Sequence, residues 1–520
     1  MWLCGRRSRR EVLLRGFRVG LWIVAALLLC CRGQPGVAAE AVAILHPGDD
    51  IQRAIDAHPP GAVFRLLPGI FRGQSIVPKD GQQFIGEDGT ILDGSIPLPA
   101  WRRDGQYWIA DALPRPLPDD RPELGLAGLR EDLFVDQKLY KRVANQAELG
   151  PGRWFSAERK AYLTDDPRGK LVEMSATARA IGGSATGVLL KNLVIRKYAT
   201  SAQHGAIAGG ATRNWTLVDV VALWNHGLGL AVGDGMRVEG GAYSFNGQLG
   251  IGDGAGGHGI RVEGVDVAHN NFAGFDHAWE AGGIKLFDMT DVVIRRSRIH
   301  DNQGPGIWFD TDNRAVLIDG NCVVGNDGDG IQYEISYDAV IRENLVGWNA
   351  RNDKTSWLWG AGILLQNSAH VEVRGNIVIV ERGNGIALIQ QNRGSGAYGT
   401  HATIGNRVRG NIVLHLAPGG RNGAVADFGS IGFGPGGNIF DGNIYVVTTS
   451  KTPFWTVGGE NFSPDMLPRL WSVGVERSGS VIIDPAPKGR LASLTATEAG
   501  PAVEVARQCP EAKSAIAPMR

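Results

Sequence analysis

The chain repeats itself at short, nearly constant steps. Residues 283–287, 306–310, 330–334, 362–366 and 385–389 align as Gly-Ile followed by alternating side chains. Their isoleucines, Ile284, Ile307, Ile331, Ile363 and Ile386, step by 23, 24, 32 and 23 residues, and Leu228 and Ile251 extend the column upstream. A polar column, Asn225, Asn246, Asn270, Asn302, Asn326 and Asn349, runs beside it. A third column reads Ser297, Asn321, Asn344, Asn376, Asn411 and Asn443. A period near 23 with short β-branched segments and turn glycines specifies a solenoid, because one coil cannot bury its own apolar face. Parallel strands of successive coils lie about 4.8 Å apart, so equivalent residues form rows. Turn asparagines tolerate left-handed backbone and can bond the next coil. The Leu-x-x-Leu-x-Leu pattern of the rival leucine-rich repeat is absent.

The reading is all-β: a parallel β-helix over 181–450, entered by a cap and first coils over 40–99. Asp50 and the Ile51, Ala54, Ile55 face predict a capped amphipathic helix that closes the first coil. Residues 100–180 break the period, carry Trp101, Trp108 and Trp154, and read as a β-rich insertion. Beyond about 450 the period fades into a C-terminal segment, 451–520.

Gly is 74 of 520 residues, as frequent turning demands, and shows no collagen period. Lys plus Arg and Asp plus Glu number 53 each. That balance argues against a partner held by phosphates or by an anionic membrane. Residues 1–39 read as an export signal: Arg6, Arg7, Arg9 and Arg10, an apolar run from Leu21 to Leu29, then Val37-Ala38-Ala39 before Glu40. Twin-arginine and Sec export both fit it. The expected product is a periplasmic or secreted monomer, free of the membrane once the signal is removed. Only Cys322 and Cys509 remain after residue 39, and their pairing stays open.

Three stretches resemble a known class. Pro47-Gly48-Asp49-Asp50-Ile51-Gln52 with Leu67-Pro68-Gly69 is similar to the entry of bacterial β-helix proteins. Asp132 to Asp136, with Gly152-Arg153-Trp154-Phe155, Tyr162-Leu163 and Val172-Glu173, resembles a module inserted in β-helix carbohydrate-active enzymes, and Trp471, Gly474 and Asp484-Pro485 resemble their tail. The resemblance is to the right-handed, pectin-lyase-like parallel β-helix family of exported carbohydrate-active proteins. It implies a polysaccharide or oligosaccharide partner. It does not choose among glycosidase, lyase, epimerase and inactive binder.

Alternation places candidate chemistry. With each Ile inward, Lys285, Trp308 and Gln332 point out, as do Phe287, Asp310, Glu334 and Gln366. Asp310 and Glu334 share one outward column, 24 residues and one coil apart. Strand spacing brings them near the ~5–5.5 Å that retaining glycosidases use. Resemblance to β-helix β-xylosidases, which carry an Asp and a Glu one coil apart, implies Asp310 as nucleophile and Glu334 as acid/base. Both are expected to face solvent, in a groove between insertions at 272–283 and 350–361. Those insertions and the sheet row offer Trp279, Trp357, Trp359 and Trp308 for stacking on sugars. Lys285, Gln332, Gln366 and His277 complete the expected substrate contacts.

Two other readings stay open. A uronate lyase or C5-epimerase would use His277 or Lys285 as base, although no dense basic row accompanies them. A non-catalytic protein would only bind glycans. No cofactor is expected; a weak Ca²⁺ signal comes from Asp288, Asp310 and Asp312, for which turn capping is the favoured reading.

Overall fold

The computed structural model describes residues 42–510, except 99, 112–119, 208, 254, 435 and 494–499. The signal expected at 1–39 falls outside the described residues. Among them, no helix is long and apolar enough to cross a membrane.

Among the described residues, three sheets of 14, 13 and 11 strands, parallel except for the last strand of the third, wind around one core. Each coil gives one strand to each sheet: Gly282–Phe287 to the 11-stranded, Met289–Arg295 to the 14-stranded and Arg298–His300 to the 13-stranded, before Ile307–Asp310 returns to the first. Between residues 187 and 447 the 14-stranded sheet receives ten successive strands, from Leu189–Lys191 to Ile439–Asp441, and a short eleventh, Gly257–His258, beside Met289–Arg295.

The isoleucine column is the inward row. Ile284, Ile307, Ile331, Ile363 and Ile386 are register partners in sequence. All are buried in the central core with Leu286, Phe309, Tyr333, Leu365 and Leu388. The single hydroxyl of that inward row, on Tyr333, donates to the Tyr337 carbonyl at 2.7 Å. The asparagine columns are buried ladders. Asn326 Oδ1 accepts the Asn302 backbone N–H at 3.1 Å and its side-chain amide at 2.9 Å, and Asn349 Oδ1 does the same for Asn326. Each turn thereby satisfies backbone groups that sharp corners would leave bare. The third column ends where the repeat does: Glu476 takes the place of the next asparagine, its carboxylate accepting from Asn443 Nδ2 at 2.7 Å.

Helix Ile51–Ala57 caps the first coil. Asp50 accepts the Arg53 N–H at 3.0 Å, and Ile51 and Ile55 are buried. The period break is an eight-stranded, mostly antiparallel sheet whose strands lie between Ser95 and Ser175. It has its own core around Trp108, Leu133, Trp154 and Met174. Glu173 docks it to the coils, bridging Arg72 and Lys197, each at 2.5 Å.

The C-terminal segment differs from the sequence expectation. Trp455–Val457 and Ser480–Ile483 still join the 11- and 13-stranded sheets. Their spacing lost the period because longer connections separate them. Helix Ala502–Gln508 then lays Ala502, Val503 and Ala506 over Val324, Leu345, Ile377 and Leu414 on the outer face of the 13-stranded sheet. A disulfide joins Cys322 to Cys509.

Candidate active site

The outer face of the 11-stranded sheet carries the site. Two outward rows run across its strands: Lys285, Trp308, Gln332, Leu364, then Phe287, Asp310, Glu334, Gln366. The 24-residue step between identically phased strands makes Asp310 and Glu334 direct register partners. Insertions from several coils fold over them and enclose a cleft of about 550 Å³. Its walls include His277, Trp279, Glu280, Trp308, Asp310, Glu334 and Arg393.

The expectation that both carboxylates face solvent fails for Glu334, which is 6 % exposed. It points away from the core, but the insertions cover it. Its Oε2 accepts from Trp308 Nε1 and from Gln332 Nε2, both at 3.1 Å, while Oε1 meets Arg393 Nη1 at 2.5 Å. Burial, then the nearby Asp310 charge, raise its pKa above the ordinary value; Arg393 and Lys285 oppose that rise. Asp310 is more open and faces a cation, with Lys285 Nζ 3.1 Å from its Oδ2. Two neighbouring carboxyls thus sit in different environments, one covered and the other facing an ammonium.

The other expected contacts sort into two groups. His277, Trp279, Trp359, Gln332 and Gln366 line the cleft. Gln366 donates to Gln391 Oε1 at 3.0 Å. Trp357 does not line it: it packs with Leu358, Ala361 and Leu364 in a small apolar cluster, because the outward row turns apolar beyond Gln332 and needs cover. Lys285 and Trp308 also line the cleft, and each is engaged there by protein groups. Lys285 is 5 % exposed, lies 3.5 Å above the Trp308 ring and donates to the Trp279 carbonyl at 2.8 Å. The cation thus occupies one face of a ring offered for sugar stacking.

Several site residues escaped the sequence reading. Glu280 approaches Lys285 at 3.5 Å. Asp329 and Asp353 enter the cleft from its other wall, and burial raises the pKa of each. Arg393 comes from the stretch after Gln390, where the coil step lengthens to 36 residues between the partners Leu388 and Ala424. That third long coil was the available signal.

Asp288, Asp310 and Asp312 do not converge as Ca²⁺ donors. Asp312 accepts the Ala397 N–H at 3.0 Å and meets His401 Nε2 at 3.1 Å. Among the described residues one donor set does converge, His269, His300 and Asp301. It is an ion-paired network on another face: His300 Nδ1 lies 2.8 Å from Asp301, which also binds Arg351 at 3.1 Å. A larger groove of about 740 Å³ crosses the 14-stranded sheet, but its Glu372 is paired with Arg409 and Arg374.

The sequence pattern described as the right handed beta helix region matches residues 205–413. No curated protein matches the chain. Among solved structures, the complex of XylC with xylose is similar at 14 % identity and a TM-score of 0.58, covering 80 % of this chain and 83 % of that one. The Azotobacter vinelandii mannuronan C-5 epimerase AlgE4 A-module is similar at 16 % identity and a TM-score of 0.38, with 79 % and 95 % covered.

Proposed function

We propose that this chain, a right-handed parallel β-helix protein, is an exported glycoside hydrolase that cleaves a polysaccharide or oligosaccharide with two carboxylates and net retention. The observation that carries the reading is the register pairing of Asp310 with a covered Glu334. Adjacent parallel strands give the pair a separation near the retaining range.

Asp310 attacks the anomeric carbon while Glu334 protonates the departing oxygen. Glu334 then takes a proton from water as water displaces Asp310. Lys285, 3.1 Å from Asp310, holds the nucleophile in place. Trp308 and Gln332 aim Glu334 through its Oε2. A fold neighbour solved with xylose agrees with a sugar ligand. The disulfide agrees with an oxidising compartment, as export would provide.

The lyase or epimerase reading is weaker here. His277 lines the cleft and is the base left to it, but a cation for the substrate carboxylate is also needed, and Lys285 is held by Asp310 and Glu280, and Arg393 by Glu334. The test is product analysis after incubation with a panel of neutral and uronate polysaccharides, with the anomer followed by NMR. Reducing ends of retained configuration are expected, and Asp310→Asn and Glu334→Gln should each abolish them while remaining folded. Unsaturated or C5-inverted products would overturn the proposal.

A further inference from the structure

Arg393 reaches Glu334 from a segment that belongs to no coil. After Gln390 the chain leaves the 11-stranded sheet and forms a short hairpin, Ser395–Gly396 against Gly399–Thr400. Its anchors surround Arg393. Asn367 Nδ2 donates to the Gln391 and His401 carbonyls at 2.6 and 2.9 Å. The Tyr337 hydroxyl donates to the Gly399 carbonyl at 2.7 Å. His401 joins the Arg393 carbonyl, at 3.0 Å, to Asp312, at 3.1 Å. Gly396 is pressed against Asp312 so closely that a Cβ there would lie 1.8 Å from Oδ1. The strap is therefore seated at several points, and it delivers one guanidinium onto one carboxylate oxygen.

We propose that Arg393 is a positioning residue that allows Glu334 to act as base as well as acid, so that its loss stalls the second half of the reaction. This rests on the hydrolase reading. In the first step an Asp310 oxygen bonds the anomeric carbon, the glycosidic bond breaks, and the leaving oxygen takes the Glu334 proton. In the second, a water oxygen bonds that carbon, the ester bond to Asp310 breaks, and the water proton returns to Glu334. Between the steps Glu334 must persist as a covered anion. The charged groups around it are Asp310 on the neighbouring strand, Asp329 before its own strand, Lys285 two coils away and Arg393 on the strap. Lys285 is directed at Asp310, Glu280 and the Trp279 carbonyl. Arg393 is the cation in hydrogen-bond contact with Glu334. Without it, burial favours the protonated form, which can still donate a proton but cannot accept one.

The experiment uses the full mature chain as wild type, Arg393→Met, Arg393→Lys and Gly396→Val, the last displacing the strap while keeping the guanidinium. Carbon-13 NMR titration of glutamate carboxyls, with Glu334 assigned through Glu334→Gln, reads the charge state without any substrate. Rapid-mixing assays on 4-nitrophenyl glycosides of xylose, arabinose, glucose and galactose read the two chemical steps. Arg393→Met and Gly396→Val should raise the Glu334 midpoint by about one unit or more, and Arg393→Lys should restore most of it. With a cleaved glycoside, Arg393→Met should keep the nitrophenolate burst while its steady phase slows about tenfold or more. An unmoved midpoint, or a burst and steady phase that fall together, overturns the proposal. If wild type cleaves none of these glycosides, the polysaccharide panel decides the hydrolase reading, and the titration alone decides whether Arg393 governs the charge on Glu334, an unmoved midpoint still overturning the proposal.

Discussion

Cys322 and Cys509 stand 187 residues apart in sequence and are joined in the fold, fastening helix Ala502–Gln508 to the outer face of the 13-stranded sheet. That face would otherwise expose Leu345, Ile377 and Leu414. A cross-link over so long a loop contributes about 2–4 kcal/mol, chiefly by restricting the unfolded chain. Cys509→Ser should therefore lower Tm by several degrees. Hydrogen exchange should open first over 500–510, while the coils stay protected. Unchanged protection of that helix would show that the apolar contacts hold it without the bridge.

Ile307 lies at the centre of the inward column and is fully buried. Ile307→Asp places an unpaired carboxylate among Ile284, Ile331 and Phe309, at a cost above about 4 kcal/mol. Loss of soluble folded protein, or a Tm drop of about 4 °C or more (roughly what such a cost implies for a chain of this length), is expected in calorimetry. A near-native Tm would mean that the row relaxes outward more readily than its packing indicates.

Glu476 closes the asparagine ladder and receives a hydrogen bond from the Tyr445 hydroxyl at 2.7 Å. Burial pushes its carboxyl up to about 7 from the ordinary 4.5. The folded state thus holds this proton more tightly than the unfolded state. Its contribution is fully present below about pH 4.5 and is lost as pH rises toward 7, by about 3 kcal/mol at most. Glu476→Gln cannot titrate, so its denaturation midpoint should vary less between pH 5 and 8 than that of wild type. Parallel pH dependences for the two proteins would remove Glu476 as the source.

The repeat made the coils and the in-or-out phase legible because each column is enforced by burial: an isoleucine that turned outward would uncover the core. The Asp310–Glu334 pairing followed from phase and step alone. Cover was not legible. Lys285 and Trp308 both point outward by alternation, yet they satisfy one another, since an ammonium beneath an insertion needs a ring face and carboxylates more than it needs solvent. Trp357 and Trp359 stand two residues apart in one loop and both pack on the cluster of Leu364 and Ala387, yet only Trp359 also lines the cleft, which the loop's seating alone decides. Arg393 carries no repeat cue, and its target is 59 residues away.

Trp308 now predicts a kinetic signature different from that of a sugar-stacking platform. Its indole N–H donates to Glu334 Oε2 at 3.1 Å, and its ring carries Lys285, which in turn holds Asp310. Trp308→Phe keeps a ring for the ammonium and deletes only the donor. A hydrogen bond to a charged group contributes about 1.5–3 kcal/mol. If it is felt mainly when Glu334 gives up its proton, kcat should fall about ten- to a hundredfold with KM little changed. The same deletion removes stabilisation of the Glu334 anion, so the alkaline limb of the pH–rate profile should move upward. A platform would behave in the opposite way, with KM rising, kcat kept and the pH profile fixed. Steady-state kinetics of Trp308→Phe across pH on the cleaved glycoside separates the two roles, and a pure KM effect would return Trp308 to substrate binding.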